Sequence, residues 1–244
     1  MTLANELRKF ADLIDKPGAK VARRLRIQLN QYHVFGRLRE VGEIKTIIDV
    51  GANRGETARM FANCFPEAKI HAFEPLKLYQ PFLVKLKQEF PQLTIHPIAL
   101  GAHSGEIEMF QNDYAPSSGV LPMLDRHREL WLKTAKDMPI KVPIDTLDSV
   151  ATREDFEYPL ILKLDVQGFE LNVLKGAKNI LSNCLLVQLE VLFESLYEGQ
   201  TNFAELVALL HGYGLHFVDF VGERRMGPNN CLIYADAAFM RLPA

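Results

Sequence analysis

Five short stretches of the 244-residue chain carry residue types that could do chemistry: Asp49-Val50-Gly51-Ala52-Asn53-Arg54-Gly55, Glu74-Pro75, Ala99-Leu100-Gly101, Asp165 and Glu190. Glycines in the first stretch let a backbone turn tightly and pass close to a ligand. Glu74 follows about 20 residues later, the spacing at which a carboxylate accepts hydrogen bonds from a ribose diol. Joined, the glycine turn and the acid point to recognition of an adenosine.

The turn also says which adenosine. A dinucleotide fingerprint sets glycines at its first, third and sixth positions, so that a pyrophosphate can rest on a helix N-terminus. Here Asn53 takes the third position and Gly55 comes one residue early. An Asn side chain crowds a pyrophosphate but suits the amino-acid end of S-adenosylmethionine. Asp49 adds a negative charge, poorly placed beside a phosphate and well placed near an ammonium or sulfonium. Electrostatics therefore favours the methyl donor. An NAD(P)-linked oxidoreductase and a cofactor-binding protein without catalysis stay open as alternatives. On this reading a Gly51→Val exchange abolishes cofactor binding and leaves the fold largely intact.

Methyl transfer to a hydroxyl needs alignment and a group to take the proton, the latter contributing roughly 10²–10⁴-fold. Asp165 is the first choice for that base and Glu190 the second, each closing an apolar run. Asp165 could instead cap the helix that follows or accept a hydrogen bond from the cofactor, and Glu190 could be a rim acid. Together the two could hold one Mg²⁺, since hard cations prefer oxygen ligands. His103, and the Ser117-Ser118 pair in a turn-rich loop, are further residues that could face the same cleft.

These residues need a scaffold that gathers them. Thr46–Val50, Lys69–Phe73, Leu93–Ile98, Leu160–Leu164 and Leu185–Leu189 read as strands, with helices at about Glu56–Cys64, Leu78–Phe90, Phe169–Ala177 and Phe203–His211. Strands alternating with helices predict a doubly wound α/β fold with a mostly parallel, seven-stranded sheet. In such sheets ligands bind beyond the carboxyl ends of the strands. Asp49, Glu74, Asp165 and Glu190 all fall at such ends. Glu106–Gln111 alternates like an edge strand, Leu124–Lys136 reads as helical, and Leu215–Phe220 with Cys231–Tyr234 closes the sheet as an antiparallel pair. Gly222 and Gly227-Pro228 fall in the loop expected between them.

Apolar residues make up 48% and charged residues 24% of the chain, enough for a core without disulfides or a structural metal. Cys64, Cys184 and Cys231 sit in no metal-ligand spacing and read as buried free thiols of a reducing compartment. The net charge of −2 argues against nucleic acid as a partner. No run approaches the ~20 apolar residues of a membrane span, and the charged N-terminus does not read as a secretory signal, so a cytoplasmic location is expected.

The motifs resemble those of the FkbM-type methyltransferases. The likeness runs through Asp49–Gly55, Phe73-Glu74-Pro75, Ala99-Leu100-Gly101 with Gly105, Thr146-Leu147-Asp148, Lys163–Glu170 and Leu174-Lys175-Gly176-Ala177. It spans roughly residues 45–235. Gln167 departs from the pattern, standing where many members carry Glu. The resemblance implies a class I, Rossmann-like fold and O-methylation of a sugar or small-molecule hydroxyl with S-adenosylmethionine. It implies Gly51, Asn53 and Gly55 under the methionine part, Glu74 on the ribose, and Ala99-Leu100 beside the adenine.

Residues 1–40 lie outside the likeness and form a separate basic arm ahead of a domain at 41–244. Leu3, Leu7, Phe10, Leu13 and Ile14 recur at helical spacing, and Arg23, Arg24 and Arg26 add charge. The arm is expected to lie over the substrate mouth, forming an acceptor lid with the 112–136 segment and Trp131, or against a partner subunit of a homodimer. A solubilising cap is the plainer expectation.

Overall fold

A computed structural model describes residues 33–36, 38, 42–112, 117–131, 137–154, 156–227 and 230–242. Ten strands and the helices between them form one seven-stranded sheet and one three-stranded sheet. In chain order the elements are β1 (Thr46–Val50), α1 (Glu56–Cys64), β2 (Lys69–Phe73), α2 (Gln80–Glu89), β3 (Leu93–His96), β4 (Ala99–Leu100), β5 (Gly105–Asn112), α3 (Asp125–Leu130) and β6 (Asp137–Asp145). They continue with α4 (Leu147–Glu154), β7 (Leu160–Leu164), α5 (Glu170–Lys175), α6 (Lys178–Asn183), β8 (Leu186–Leu192), α7 (Phe203–Gly212), β9 (Leu215–Met226) and β10 (Leu232–Arg241).

The large sheet runs in the order β3-β2-β1-β7-β8-β10-β9. Its first five strands are parallel, and β10 enters antiparallel between β8 and β9. β1 and β7 lie at its centre, and every residue of both is buried, which is why they read as largely apolar runs, broken by Asp49 in β1 and Lys163 in β7. Side chains alternate between two helical layers. Ile47, Ile70 and Ile161 face α1 and α2, whereas Ile48, Leu160 and Leu162 face α4, α5, α6 and α7. This is the expected doubly wound arrangement, and no described helix is long and apolar enough to cross a membrane.

Four details correct the sequence reading. The strand expected at Leu93–Ile98 ends at His96, and Ala99-Leu100 instead opens the small sheet, ordered β4-β6-β5. Glu106–Gln111 is an edge strand as expected, of that small sheet, whereas the strand expected to end at Leu189 runs on to Leu192, so that Glu190 lies inside it. The run after Phe169 is two short helices, because Gly176 breaks it; a Cβ there would sit 2.0 Å from the Gly101 carbonyl oxygen. Gly222 lies inside β9 at φ +64, where the register with β10 shifts, and not in the loop beyond it.

Nearly all of the N-terminal arm, and the 113–116 and 132–136 parts of the lid segment, lie outside the described residues. Of the arm, Val34, Phe35 and Leu38 are buried, and Phe35 packs its ring on Phe61 and Phe65. These three side chains belong to the core around α1, so the packed unit begins before residue 41. Cys64 and Cys184 are buried as expected, but Cys231 is exposed.

Candidate active site

At the carboxyl ends of β1, β2, β7 and β8 opens a cavity of about 610 Å³. That size suits a drug-sized ligand. Val50, Gly51 and Asn53 line it from the β1–α1 turn, Glu74, Pro75 and Leu76 from the end of β2, and Ala99 with Leu100 from β4. Asp165 and Glu190 stand on its opposite wall. Of the ten residues singled out from sequence, eight line the cavity. Asp49 and Gly55 do not.

Asp49 lies fully buried behind the turn, with Lys163 Nζ 3.3 Å from its Oδ1. Burial pushes its pKa up while Lys163 opposes that shift. Lys163 comes from the neighbouring strand, directly opposite Asp49 in the register, and also lies 3.5 Å from Asp165 Oδ2. Burial works against the Lys163 charge too, but Asp49, Asp165 and Asp236 together raise its pKa. The ammonium thus links the acid beneath the cofactor turn to the acid facing the cavity. Gly55, at φ +84, lets α1 approach α2; a Cβ would come 2.5 Å from Leu86 Cδ2. Its place is in packing.

Gly51 sits at φ +76, and a Cβ there would meet the backbone oxygen of Asp165 at 2.0 Å. The turn is therefore pressed against the end of β7. Asn53, at φ +50, donates its backbone N–H to Glu74 Oε2 at 2.9 Å, and the Leu76 N–H donates to Oε1 at 2.9 Å. Each oxygen keeps acceptor capacity toward the cavity. Burial pushes the Glu74 carboxyl up to about 7, against these two hydrogen bonds. Among the described residues, the buried Tyr79 hydroxyl beside it has no hydrogen-bond partner of ordinary geometry; burial raises its pKa, and the Asn53 side chain is near enough to oppose that rise. A fixed carboxylate and an orphaned hydroxyl at one end of a cavity fit a ribose and its neighbours.

The other wall is built around Gln167, at φ +56. Its Nε2 donates to Asp165 Oδ1 at 2.8 Å and to Glu190 Oε2 at 3.2 Å, while the Tyr197 hydroxyl donates to its Oε1. The Tyr197 oxygen also lies 3.2 Å from His127 Nε2. Burial, then the charges of Asp165, Glu170 and Asp236, raises the Glu190 pKa well above the usual carboxylate range. An N–H donor occupies the gap between the two acids, where Mg²⁺ would need oxygen ligands. The pair does not fit that ion.

Beyond the acids the cavity is aromatic. Trp131 stacks on His127 at 4.6 Å between ring centroids, Tyr234 follows at 6.4 Å, and Arg225 covers Trp131 at 4.4 Å. Ser117 and Ser118 line this end, as the loop reading allowed; Ser118 Oγ accepts the Asn112 N–H. His103 is exposed and does not line the cavity. Sequence reasoning gave no role to Lys163, Tyr197, His127 or Tyr234. Only Lys163 left a signal, as a charge inside an otherwise apolar strand.

Residues 49–217 match the model of the family described as the methyltransferase FkbM domain. The 2-O-methyltransferase NoeI of Sinorhizobium fredii (strain NBRC 101917 / NGR234) is 26% identical over 226 residues, which cover 88% of this chain and 87% of that protein. The crystal structure of methyltransferase FkbM from Methylobacillus flagellatus KT superposes with a TM-score of 0.51 at 13% identity. That likeness concerns the fold, and covers 81% of this chain but 44% of the other, so this chain corresponds to less than half of that protein.

Proposed function

The chain belongs to the FkbM methyltransferase family and is an S-adenosylmethionine-dependent methyltransferase; from that premise we propose that it methylates a hydroxyl of a saccharide or small-molecule acceptor, with Asp165 as the base. The observation that carries this reading is the pairing, across one cavity, of a backbone-clamped Glu74 with the Asp165–Gln167–Glu190 cluster.

When bound, S-adenosylmethionine supplies an electrophilic methyl group on a sulfonium leaving group. Glu74 accepts the two ribose hydroxyls, and Gly51 and Asn53 border the methionine portion. Pro75, Ala99 and Leu100 form the apolar wall at the adenine. Asp49, buried behind the turn, contributes its negative charge through Lys163 rather than by contact.

Asp165 takes the acceptor's proton. It is favoured over Glu190 because its strand end touches the cofactor turn, so a hydroxyl bonded to it lies beside the donor. Gln167 holds both carboxylates by N–H donation and so fixes the direction in which Asp165 presents its free lone pairs. Glu190 is the alternative base. Trp131 and Tyr234 offer flat apolar faces of the kind a sugar ring packs against, and the serines offer hydroxyls. NoeI, named as a 2-O-methyltransferase, supports a hydroxyl as the methyl acceptor. The family identity leaves nothing in favour of a nicotinamide oxidoreductase. Residues 1–40 remain a proposed acceptor-side or partner-facing arm of a cytoplasmic enzyme.

Calorimetric titration with S-adenosylmethionine, followed by transfer of a labelled methyl group to a panel of saccharides, tests the proposal. One cofactor per chain, with label retained in an alkali-stable ether, is expected. Label on nitrogen or carbon would overturn the acceptor assignment.

A further inference from the structure

On the β2–β3 side of the main sheet, outside the cavity, two imidazoles meet edge on. His71 Nδ1 lies 3.0 Å from His96 Nε2, and the ring planes are inclined by only 20°. Phe156 packs on His71 at 4.5 Å and Phe73 on His96 at 4.3 Å, which fixes both rings. Glu154, the last residue of α4, brings a carboxylate to the same spot. The three ligand atoms all lie within 4.8 Å of one another.

We propose that His71, His96 and Glu154 form a binding site for a divalent transition-metal ion of the zinc class, separate from the methyl-transfer site. Two nitrogens bound to one zinc at 2.0–2.1 Å stand about 2.9–3.4 Å apart for angles between 90° and tetrahedral. The separation here falls in that interval without movement of either ring. Imidazole nitrogen with one carboxylate is a donor set that zinc, nickel and copper accept and that magnesium and calcium do not favour. A ligating imidazole must be neutral. Burial lowers the pKa of both rings, which favours the neutral form. Glu154 is exposed, which leaves a coordination position open to water.

The ion would tie the end of α4 to the β2–β3 edge. That edge reaches the cofactor end of the cavity, because the Glu74 N–H donates to the His96 carbonyl at 3.0 Å and Phe73 lines the cavity. Occupancy is thus expected to steady the strand end that carries Glu74.

The test uses the full chain without an affinity tag, stripped with EDTA, dialysed, and titrated with ZnCl₂ at pH 7.5. One ion per chain and a rise of several degrees in melting temperature are expected. His71 is buried and its loss endangers folding, so His96→Gln and Glu154→Gln carry the test. Each should weaken zinc binding by about tenfold or more. His211→Gln and Cys231→Ser, which alter other metal-binding side chains, should leave it unchanged. Cobalt in place of zinc should give visible absorption in the wild type that is lost in His96→Gln. The proposal is overturned if the wild type takes up no zinc, or if His96→Gln binds it with unchanged affinity. In either case the two rings share only a hydrogen bond.

Discussion

Asp165 Oδ1 and Glu190 Oε2 accept hydrogen bonds from a single nitrogen, Nε2 of Gln167. Asp165 follows the last residue of β7 and Glu190 lies near the end of the adjacent β8, and the amide holds them side by side while donating to both. If Asp165 is the base, Asp165→Asn keeps the shape and loses the charge. We expect turnover to fall about 10²–10⁴-fold with cofactor affinity within a few-fold of wild type. Glu190→Gln should cost less. Single-turnover kinetics with both variants would reverse the assignment if Glu190→Gln proved the slower.

Glu74 gives a pH dependence with a definite sign. Burial raises its carboxyl to about 7, and ribose hydroxyls donate most strongly to the ionised form. Protonation of the free enzyme thus competes with cofactor binding. Affinity should be greatest above pH 7 and fall toward tenfold per unit below it. Glu74→Ala should weaken binding by roughly 1.5–3 kcal/mol and flatten the profile between pH 5 and 8. A wild-type profile already flat over that range would count against Glu74 as the ribose acceptor.

The buried pair Lys163–Asp49 makes a stability prediction. Lys163→Met leaves Asp49 without its counter-ion and should destabilise the fold by about 3–5 kcal/mol. Adding Asp49→Asn should restore much of that, because a neutral amide is far cheaper to bury than a lone carboxylate. Urea unfolding of the single and double variants measures the coupling, and additive losses would show that the two groups act independently.

Gly51 was expected to matter for the ligand alone. A Cβ 2.0 Å from the Asp165 carbonyl makes it a packing position first. Gly51→Ala should cost about 3 kcal/mol or more in the absence of cofactor, through this clash and the positive φ. Thermal unfolding of the ligand-free variant decides between a fold defect and a binding defect.

A truncation starting at residue 41 removes Val34, Phe35 and Leu38 from the core around α1. It should lower stability by several kcal/mol, as loss of large buried side chains does. A truncation starting at residue 33 keeps these three side chains and should be more stable than the shorter version. If both versions melted alike, the buried segment would contribute nothing to the core.

The parallel sheet and the rim of acids were legible because both leave local marks. β1 and β7 are largely apolar runs ending in Asp-Val-Gly and, past Lys163, in Asp165, and Glu74 follows a third. The small sheet was not legible. β4 is two residues long and pairs with β6, more than 40 positions away, so nothing local announces it. The roles of Tyr197 and His127 were hidden for the same reason, since Tyr197 meets Gln167, and His127 meets Tyr197, only through the tertiary fold. Asp49 was read as a charge beside the cofactor's ammonium or sulfonium and not as the buried partner of Lys163, a contact that exists only once β1 and β7 are adjacent. Gly55 carried the right conformation for a ligand turn, and packing against α2 uses it.

The small sheet has a consequence for redesign. The chain leaves the neighbourhood of the cofactor at Gly101 and returns at Asp145, and the Gly101 N–H donates to the Asp145 carbonyl at 3.0 Å. Everything between, including the serines and the aromatic wall of the acceptor end up to Trp131, is an excursion whose two ends are fixed a single hydrogen bond apart. Residues 101–145 can therefore be treated as an exchangeable cassette. A segment from another family member, spliced at those two positions, would bring a different wall to the cavity while the Gly51 turn and Glu74 stay untouched.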